Sequence, residues 1–231
     1  MKFKPKCVLF DLDGTLVDTA PDLGHAADMV RAELGLPPLP VTVYRPVASA
    51  GARGLLKVAL GIGTDHPGYA RHRDSFLNYY RDNIARASRL FDGMDELLHD
   101  FERREIRWGV VTNKPGWLTQ LLMDALKLSA RAACALSPEA PLKPKPAPDM
   151  LLKACELLKL KPAACVYVGD DRRDIDAARN AAMPSVAADW GYLGEGGPVQ
   201  GWNADVIAAT PADLRRLLLP NPAHRISAAS P

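Results

Sequence analysis

Two aspartates stand two residues apart in "FDLDGTLVDT", residues 10–19, directly behind the apolar run "CVLF". In a strand, positions i and i+2 share a face, so Asp11 and Asp13 at a strand's carboxyl end would lie side by side and repel unless a cation or a shared proton held them. Three further stretches carry groups that complement such a pair: Thr112 and Asn113 in "VVTN", Lys143 and Lys145 in "LKPKPAPD", and Asp170, Asp171 and Asp174 in "GDDRRD". Aspartates from two strands can hold a hard divalent cation such as Mg²⁺, which prefers oxygen ligands and keeps waters and a substrate phosphate in its shell. A phosphate then needs donors: the Thr112 hydroxyl, the Asn113 side-chain amide and backbone N–H, a lysine ammonium, and backbone amides of the turn at Gly14. One carboxylate is left over for covalent chemistry. Asp11 would attack phosphorus to give an aspartyl-phosphate that water cleaves; Asp13 would protonate the leaving alcohol and then activate that water. The cation and the lysine would neutralise the transferring group.

Taken singly, each stretch has an ordinary reading. "DLDGT" is a turn, Thr112 and Asn113 cap a helix, the two lysines face solvent, and Asp171 and Asp174 are charges at a helix N-terminus. What unites them is position, because each follows a short apolar run or lies between two such runs. "CVLFD", "WGVVTN" (Trp108 to Asn113), "CVYVGD" (Cys165 to Asp170) and the weaker "PSVAA" (Pro184 to Ala188) read as buried strands, with one more from Ala204 in "ADVIA". Helical patterns alternate with them, the order expected of an α/β fold with a parallel sheet. In open sheets of this kind the ligand crevice lies outside the carboxyl ends of the strands, where all four stretches would open.

The helices are marked by spacing and caps. Leu23, Ala26, Ala27, Val30 and Leu34 predict a helix over 22–34, with Thr19 and Asp22 as a capping box and Gly35 as its stop. Further helices are expected from Pro148 and from Thr210, the latter capped by Thr210 with Pro211 in its first turn. Between Leu16 and Phe91 no strand is evident, only helical patterns around Asp22, around Leu55 and from Tyr69 to Ala85. The expected organisation is therefore a core made of residues 1–17 and 92–219, a helical insertion over 18–91 on a hinged pair of linkers, and a loose tail over 220–231.

Composition narrows the classes. The 231 residues are 48% hydrophobic, and 29 basic against 27 acidic residues give a net charge of +2 without a polybasic block, so neither nucleic acid nor a membrane surface is an expected partner. No apolar run reaches membrane-spanning length, and the three early lysines precede too short an apolar stretch for an export signal, which reads as a cytoplasmic protein. Cys7, Cys134, Cys155 and Cys165 show no C-x-x-C spacing and are expected as buried, reduced thiols. The five histidines share no metal-ligand spacing. The oligomeric state is left open.

In this order, "DLDGTLVDT", "VVTNKP", "KPKPAPD" and "VGDDRRD" resemble the four motifs of the haloacid dehalogenase superfamily, and the helical insertion falls where its first-type cap domain sits. The resemblance implies a Rossmann-like core, a mobile cap and Mg²⁺ dependence. It implies Asp11 as nucleophile, Asp13 as acid and base and, through its backbone carbonyl, a metal ligand, Thr112 as phosphate ligand, and Asp170 as metal ligand. Asp171 and Asp174 would act around the metal indirectly. Lys145 fits the family's lysine better than Lys143, by the string "KPAPD" and its distance to "VGDD". Dehalogenases and phosphonatases of the superfamily lack an aspartate at the position of Asp13, so phosphate ester chemistry is implied. The chain is similar to phosphoglycolate phosphatases, and "SAGAR", "LFDGM", "VGDDRRDI" and "GWNADV" resemble bacterial N-acetylmuramic acid 6-phosphate phosphatases; phosphosugar mutases share the same aspartate pair and cap. Arg53 in "ASAGARG" is the expected cap ligand for a substrate carboxylate. Ala182 stands where relatives often carry glycine, a departure expected to alter a turn and no chemistry.

Overall fold

A computed structural model describes residues 4–194 and 196–219. The apolar run behind Asp11 forms β1 (Cys7–Phe10), every residue of which is fully buried. Such burial requires partners on both edges and helices on both faces. Strand β1 pairs in parallel with β4 (Arg107–Val111) on one edge and β6 (Cys165–Gly169) on the other, with Leu9 level with Gly109 and Tyr167. β5 (Ala135–Leu136) extends the sheet beyond β4, and β7 (Ser185–Ala188) and β8 (Val206–Ala208) extend it beyond β6. The order is β5-β4-β1-β6-β7-β8, all parallel. The chain leaves β1 for one side and later returns to the other, so the strand with the aspartate pair is the switch point where a ligand crevice forms.

Alternate residues of the strands feed two cores. Val8, Phe10, Trp108 and Val110 pack with α5 (Met94–Arg103), α6 (Gly116–Ala125) and α9 (Pro211–Leu218). Cys7, Leu9 and Tyr167 face α7 (Asp149–Leu158) and α8 (Arg172–Asn180). The four cysteines carry free thiols, three of them buried and Cys134 half-buried. Burial pushes the Cys134 thiol up to about 11, which keeps it protonated and unreactive at neutral pH.

Between β1 and α5 lie α1 (Ala20–Glu33), α2 (Val41–Tyr44), a 3₁₀ segment (Arg45–Ala50), α3 (Gly51–Leu60) and α4 (Tyr69–Asp82). They share an apolar cluster of their own that includes Leu23, Val30, Leu55, Leu56, Phe76 and Tyr80. The expectation of no strand in this stretch is corrected. β2 (Val17–Asp18) and β3 (Arg89–Leu90) pair antiparallel, joining the outgoing and returning linkers. Two residues are too few to show a period of two in the sequence, and β5 escaped notice for the same reason.

Other boundaries shift by one or two residues. The strand expected over 108–113 ends at Val111, the one over 165–170 ends at Gly169, and the helix expected over 22–34 begins at Ala20. Each strand thus stops just before its functional residues, which are released into the crevice. The cap on α9 forms as expected, Thr210 Oγ1 accepting the Asp213 N–H at 3.1 Å, and Gly35 takes a left-handed φ of 71° past the end of α1. The capping box of Thr19 and Asp22 does not form. Thr19 Oγ1 donates instead to Asp13 Oδ1 at 2.6 Å, and Asp22 accepts the backbone N–H groups of Ala87 and Ser88 and the Ser88 hydroxyl. Both side chains found distant partners that outcompete local capping. The expected tail over 220–231 lies outside the described residues. Among the described residues, no helix is long and apolar enough to cross a membrane.

Candidate active site

Asp11 leaves the end of β1 with its backbone N–H still bonded to Val168 O, which aims the nearly buried carboxylate over the sheet edge. Asp170 and Asp174 meet it from the end of β6 and the first turn of α8, and ligand oxygens of the three lie within 4.8 Å of one another. Lys145 Nζ reaches into this group, 2.8 Å from Asp11 Oδ1 and 2.6 Å from Asp174 Oδ1. It also donates to the Tyr167 hydroxyl at 2.9 Å. Lys143 is exposed.

One buried lysine among three carboxylates leaves excess negative charge. Burial, then the charges of Asp11 and Asp174, raises Asp170 well above the ordinary carboxylate range. Burial lifts Asp174 to about 7 although Lys145 pulls the other way. Burial alone would lower Lys145, but Asp11 and Asp174 outweigh it and the ammonium is held above its ordinary value. Asp11 Oδ1 receives no directed hydrogen bond from the described residues in spite of the nearby ammonium. A crowded set of hard oxygen donors with negative charge in excess fits a divalent cation.

Asp13 points elsewhere. Its carboxylate accepts from Thr19 Oγ1 and from Lys114 Nζ at 3.0 and 3.2 Å, so the side chain stands outside the three-carboxylate group. Lys114 is buried and also donates to the hydroxyl of Tyr80 on α4. Burial would depress this ammonium, but Asp13 more than compensates and raises it. The turn between the aspartates and β2 needs Gly14: its φ is 88°, and a Cβ there would sit 2.3 Å from Asp170 Oδ2. Next to it, Thr15 Oγ1 donates to Asp170 Oδ1 at 2.6 Å.

Thr112 is buried just past β4, its Oγ1 accepting the Lys114 N–H at 3.2 Å. The Asn113 side chain is spent on positioning. It donates to Lys145 O at 3.0 Å and accepts the Lys145 N–H at 2.8 Å, fixing the loop that delivers the lysine. Only its backbone N–H remains for a phosphate. Asp171 caps α8 by accepting the Arg173 N–H, and Asp174 closes the box on the Asp171 N–H. Burial would raise Asp171, but the two-pronged Arg173 contact outweighs it and holds the carboxyl below its ordinary range. Asp174 therefore serves the helix start and the carboxylate group at once, while Asp171 faces Arg173.

A cavity of about 200 Å³ lies above these groups and is walled on its far side by the insertion. Its far wall comes from Leu23, Ala48, Ser49, Phe76, Leu77 and Tyr80, and Leu118 lines it from the core. Arg53 is not brought in; it borders an outer groove with Arg172 and Asp176. Lys114 and Arg173 line the cavity instead. Sequence reasoning passed over both, although Lys114 stands inside "VVTNKP" and Arg173 inside "GDDRRD".

A switch-point crevice with grouped carboxylates, a buried lysine and a helical lid defines a class of phosphoryl-transfer hydrolases. The model for the haloacid dehalogenase-like hydrolase family matches residues 8–188. The chain belongs to that family. It is 42% identical over 215 residues to a phosphoglycolate phosphatase from Xanthomonas campestris, covering 93% of this chain and 96% of the relative. It is 39% identical over 213 residues to an N-acetylmuramic acid 6-phosphate phosphatase from Pseudomonas putida, covering 92% and 96%. A crystal structure of a predicted phosphoglycolate phosphatase from Haemophilus somnus superposes with a TM-score of 0.80 at 26% identity, covering 92% of this chain and 97% of that one. Within the family the chain is a phosphatase, a hydrolase of phosphate monoesters.

Proposed function

We propose that the chain is a Mg²⁺-dependent phosphatase of small carboxylated phosphomonoesters that works through an aspartyl-phosphate. The observation that carries this reading is Asp11, nearly buried at the switch point, 2.8 Å from Lys145 and grouped with the carboxylates of Asp170 and Asp174. Asp11, Asp170 and the backbone carbonyl of Asp13 would hold Mg²⁺, with Asp174 beside them; when bound, the ion supplies positive charge to the phosphoryl oxygens. The Asp11 oxygen forms a bond to phosphorus as the ester P–O bond breaks. Asp13 gives its proton to the departing alcohol oxygen. Water then attacks the aspartyl-phosphate, Asp13 takes its proton, and the bond between phosphorus and Asp11 breaks to release phosphate. Lys145, the Thr112 hydroxyl and the Asn113 N–H would hold the phosphoryl oxygens throughout.

Phosphoglycolate is the first substrate to consider, with the cavity-lining cations Lys114 and Arg173, in place of Arg53, as candidate partners of its carboxylate. N-acetylmuramic acid 6-phosphate is the second, and a specific observation favours it. The apolar wall of Leu23, Phe76, Leu77 and Leu118 would meet nothing apolar on glycolate but would meet the acetyl and lactyl methyl groups of the sugar. A phosphosugar mutase must hold two phosphates, and the insertion puts no cation of its own into the cavity, which weighs against that alternative. The test is phosphate release with Mg²⁺ from both esters and from β-glucose 1-phosphate, beside Asp11→Asn. Release from one preferred ester, lowered roughly 10⁴-fold or more in the variant, is expected. Turnover by Asp11→Asn close to that of the wild type would overturn the covalent route.

A further inference from the structure

Helix α1 enters the insertion without a cap of its own, because Thr19 and Asp22 are committed elsewhere. Its leading N–H groups must still find acceptors. They find one in the core: the Tyr192 hydroxyl accepts from Thr19 N at 2.7 Å and from Ala20 N at 2.8 Å, and donates to Asp18 Oδ1 at 2.9 Å. The same residue's backbone N–H donates to Asp170 Oδ2 at 2.8 Å. Tyr192 is almost fully buried, and its ring lies between Phe91 of the returning linker and the guanidinium of Arg45, which grips Asp18 with two hydrogen bonds of 2.9 Å. A single residue thus links a carboxylate of the active site, through its backbone N–H, to both linkers of the insertion, through its side chain.

We infer that Tyr192 is a positioning residue that couples the setting of the helical insertion to Asp170. The inference rests on the reading of Asp170 as a metal ligand. Between the N–H held by Asp170 and the hydroxyl held by α1, only the Cα–Cβ torsion of Tyr192 can move the hydroxyl, and the buried ring is packed against that rotation, so a shift of the Asp170 carboxylate is passed on to the start of α1. Space around the lever is closed: a Cβ on Gly14 would lie 2.7 Å from the Tyr192 ring, and one on Gly191 would lie 2.1 Å from Asp170 Cβ. Movement at either end must be shared by the other. Binding of a cation to Asp170 would thereby favour one setting of the insertion over others, and occupation of the cavity would in turn strengthen cation binding.

The experiment is amide hydrogen exchange over residues 16–24, with and without MgCl₂, in the wild type and in Tyr192→Phe, with Mg²⁺ affinity measured by calorimetry on the same samples. In the wild type, Mg²⁺ is expected to slow exchange at the start of α1 about 5-fold or more. In Tyr192→Phe, which keeps the ring and the N–H to Asp170, Mg²⁺ affinity should stay within about 2-fold while the added protection disappears. Kinetics give a second readout: KM for a substrate that fills the cavity rises about 5- to 10-fold, and kcat for p-nitrophenyl phosphate stays within about 2-fold. Mg²⁺-dependent protection that persists in Tyr192→Phe, or wild-type protection that ignores bound Mg²⁺, overturns the inference and leaves the phosphatase reading intact. Failure of the wild type to bind Mg²⁺ overturns the metal reading and the inference together. The wild-type comparison needs no variant, so it decides even if Tyr192→Phe folds poorly.

Discussion

Across the cavity, the core wall is crowded with charge and the insertion wall has none. Asp11, Asp13, Asp171, Asp174, Lys114, Lys145 and Arg173 all come from the core, while the insertion presents Leu23, Phe76, Leu77, Tyr80 and small residues. The insertion wall lies over a cluster of buried apolar side chains and asks little of its surroundings. The core wall works only as a set, because Lys145 offsets Asp11 and Asp174 while the remaining negative charge is shared among the three carboxylates, and losing one member shifts the others. Bond-breaking groups and groups that select the alcohol are therefore separable by mutation.

The largest effect should come from unbalancing the core. Lys145→Ala leaves Asp11 and Asp174 without their cation, and a loss of about 3–5 kcal/mol in metal-free stability at neutral pH is expected, checked by urea unfolding. Added MgCl₂ should recover part of that loss; no recovery would deny that these carboxylates share a cation. On the other wall, Leu77→Ala should leave turnover of phosphoglycolate within about 2-fold and lower kcat/KM for N-acetylmuramic acid 6-phosphate about 10-fold, since each lost apolar contact is worth ~1–3 kcal/mol of discrimination. An equal fall on both esters would dissolve the division between the walls.

Arg173 sits on the seam, binding Asp171 and donating to Ser49 O of the insertion. Asp171 titrates below its ordinary range in the folded protein, so its contribution to stability is complete above about pH 4 and is lost as pH falls through the depressed value. Arg173→Gln should lower the melting temperature by about 2–4 °C at pH 7, as expected for a partly exposed pair worth ~1 kcal/mol. The two melting curves should converge below about pH 4. The smallest effect lies far from both walls. Ala182, just past the cap of α8 at Ala181, takes a left-handed φ of 52°, so Ala182→Gly should raise stability by about 0.5–1 kcal/mol and leave kcat unchanged.

The core wall was legible because its residues sit in short strings directly behind apolar runs, and strand ends in a parallel sheet converge without further instruction. The residues alone left Lys143 and Lys145 open, and the resemblance to the family's motifs is what favoured Lys145 and gave Thr112 its role. The insertion's contribution was not legible in the same way. Arg53 has the right chemistry and a loop of small neighbours, but its direction depends on how the 3₁₀ segment packs, and it faces the outer groove. Thr19 and Asp22 have the spacing of a capping box, yet their partners are Asp13 and the linker at Ala87 and Ser88. Tyr192 carries no local signal at all, since its two ends act on residues 22 and 173 positions away. Periodicity reports local geometry, and these roles are set by contacts between distant segments.

The pairing of Val17–Asp18 with Arg89–Leu90 places the two ends of the insertion within one ladder spacing of each other. Everything between them is topologically a single long loop whose ends are held together, and because closure cost grows only slowly with length, doubling that loop adds only about 0.6 kcal/mol. Such a junction works as a socket. Lids of different length and composition could be exchanged there without disturbing the register of β1, which lets one hydrolytic core acquire new substrates by trading the piece that never touches the phosphorus.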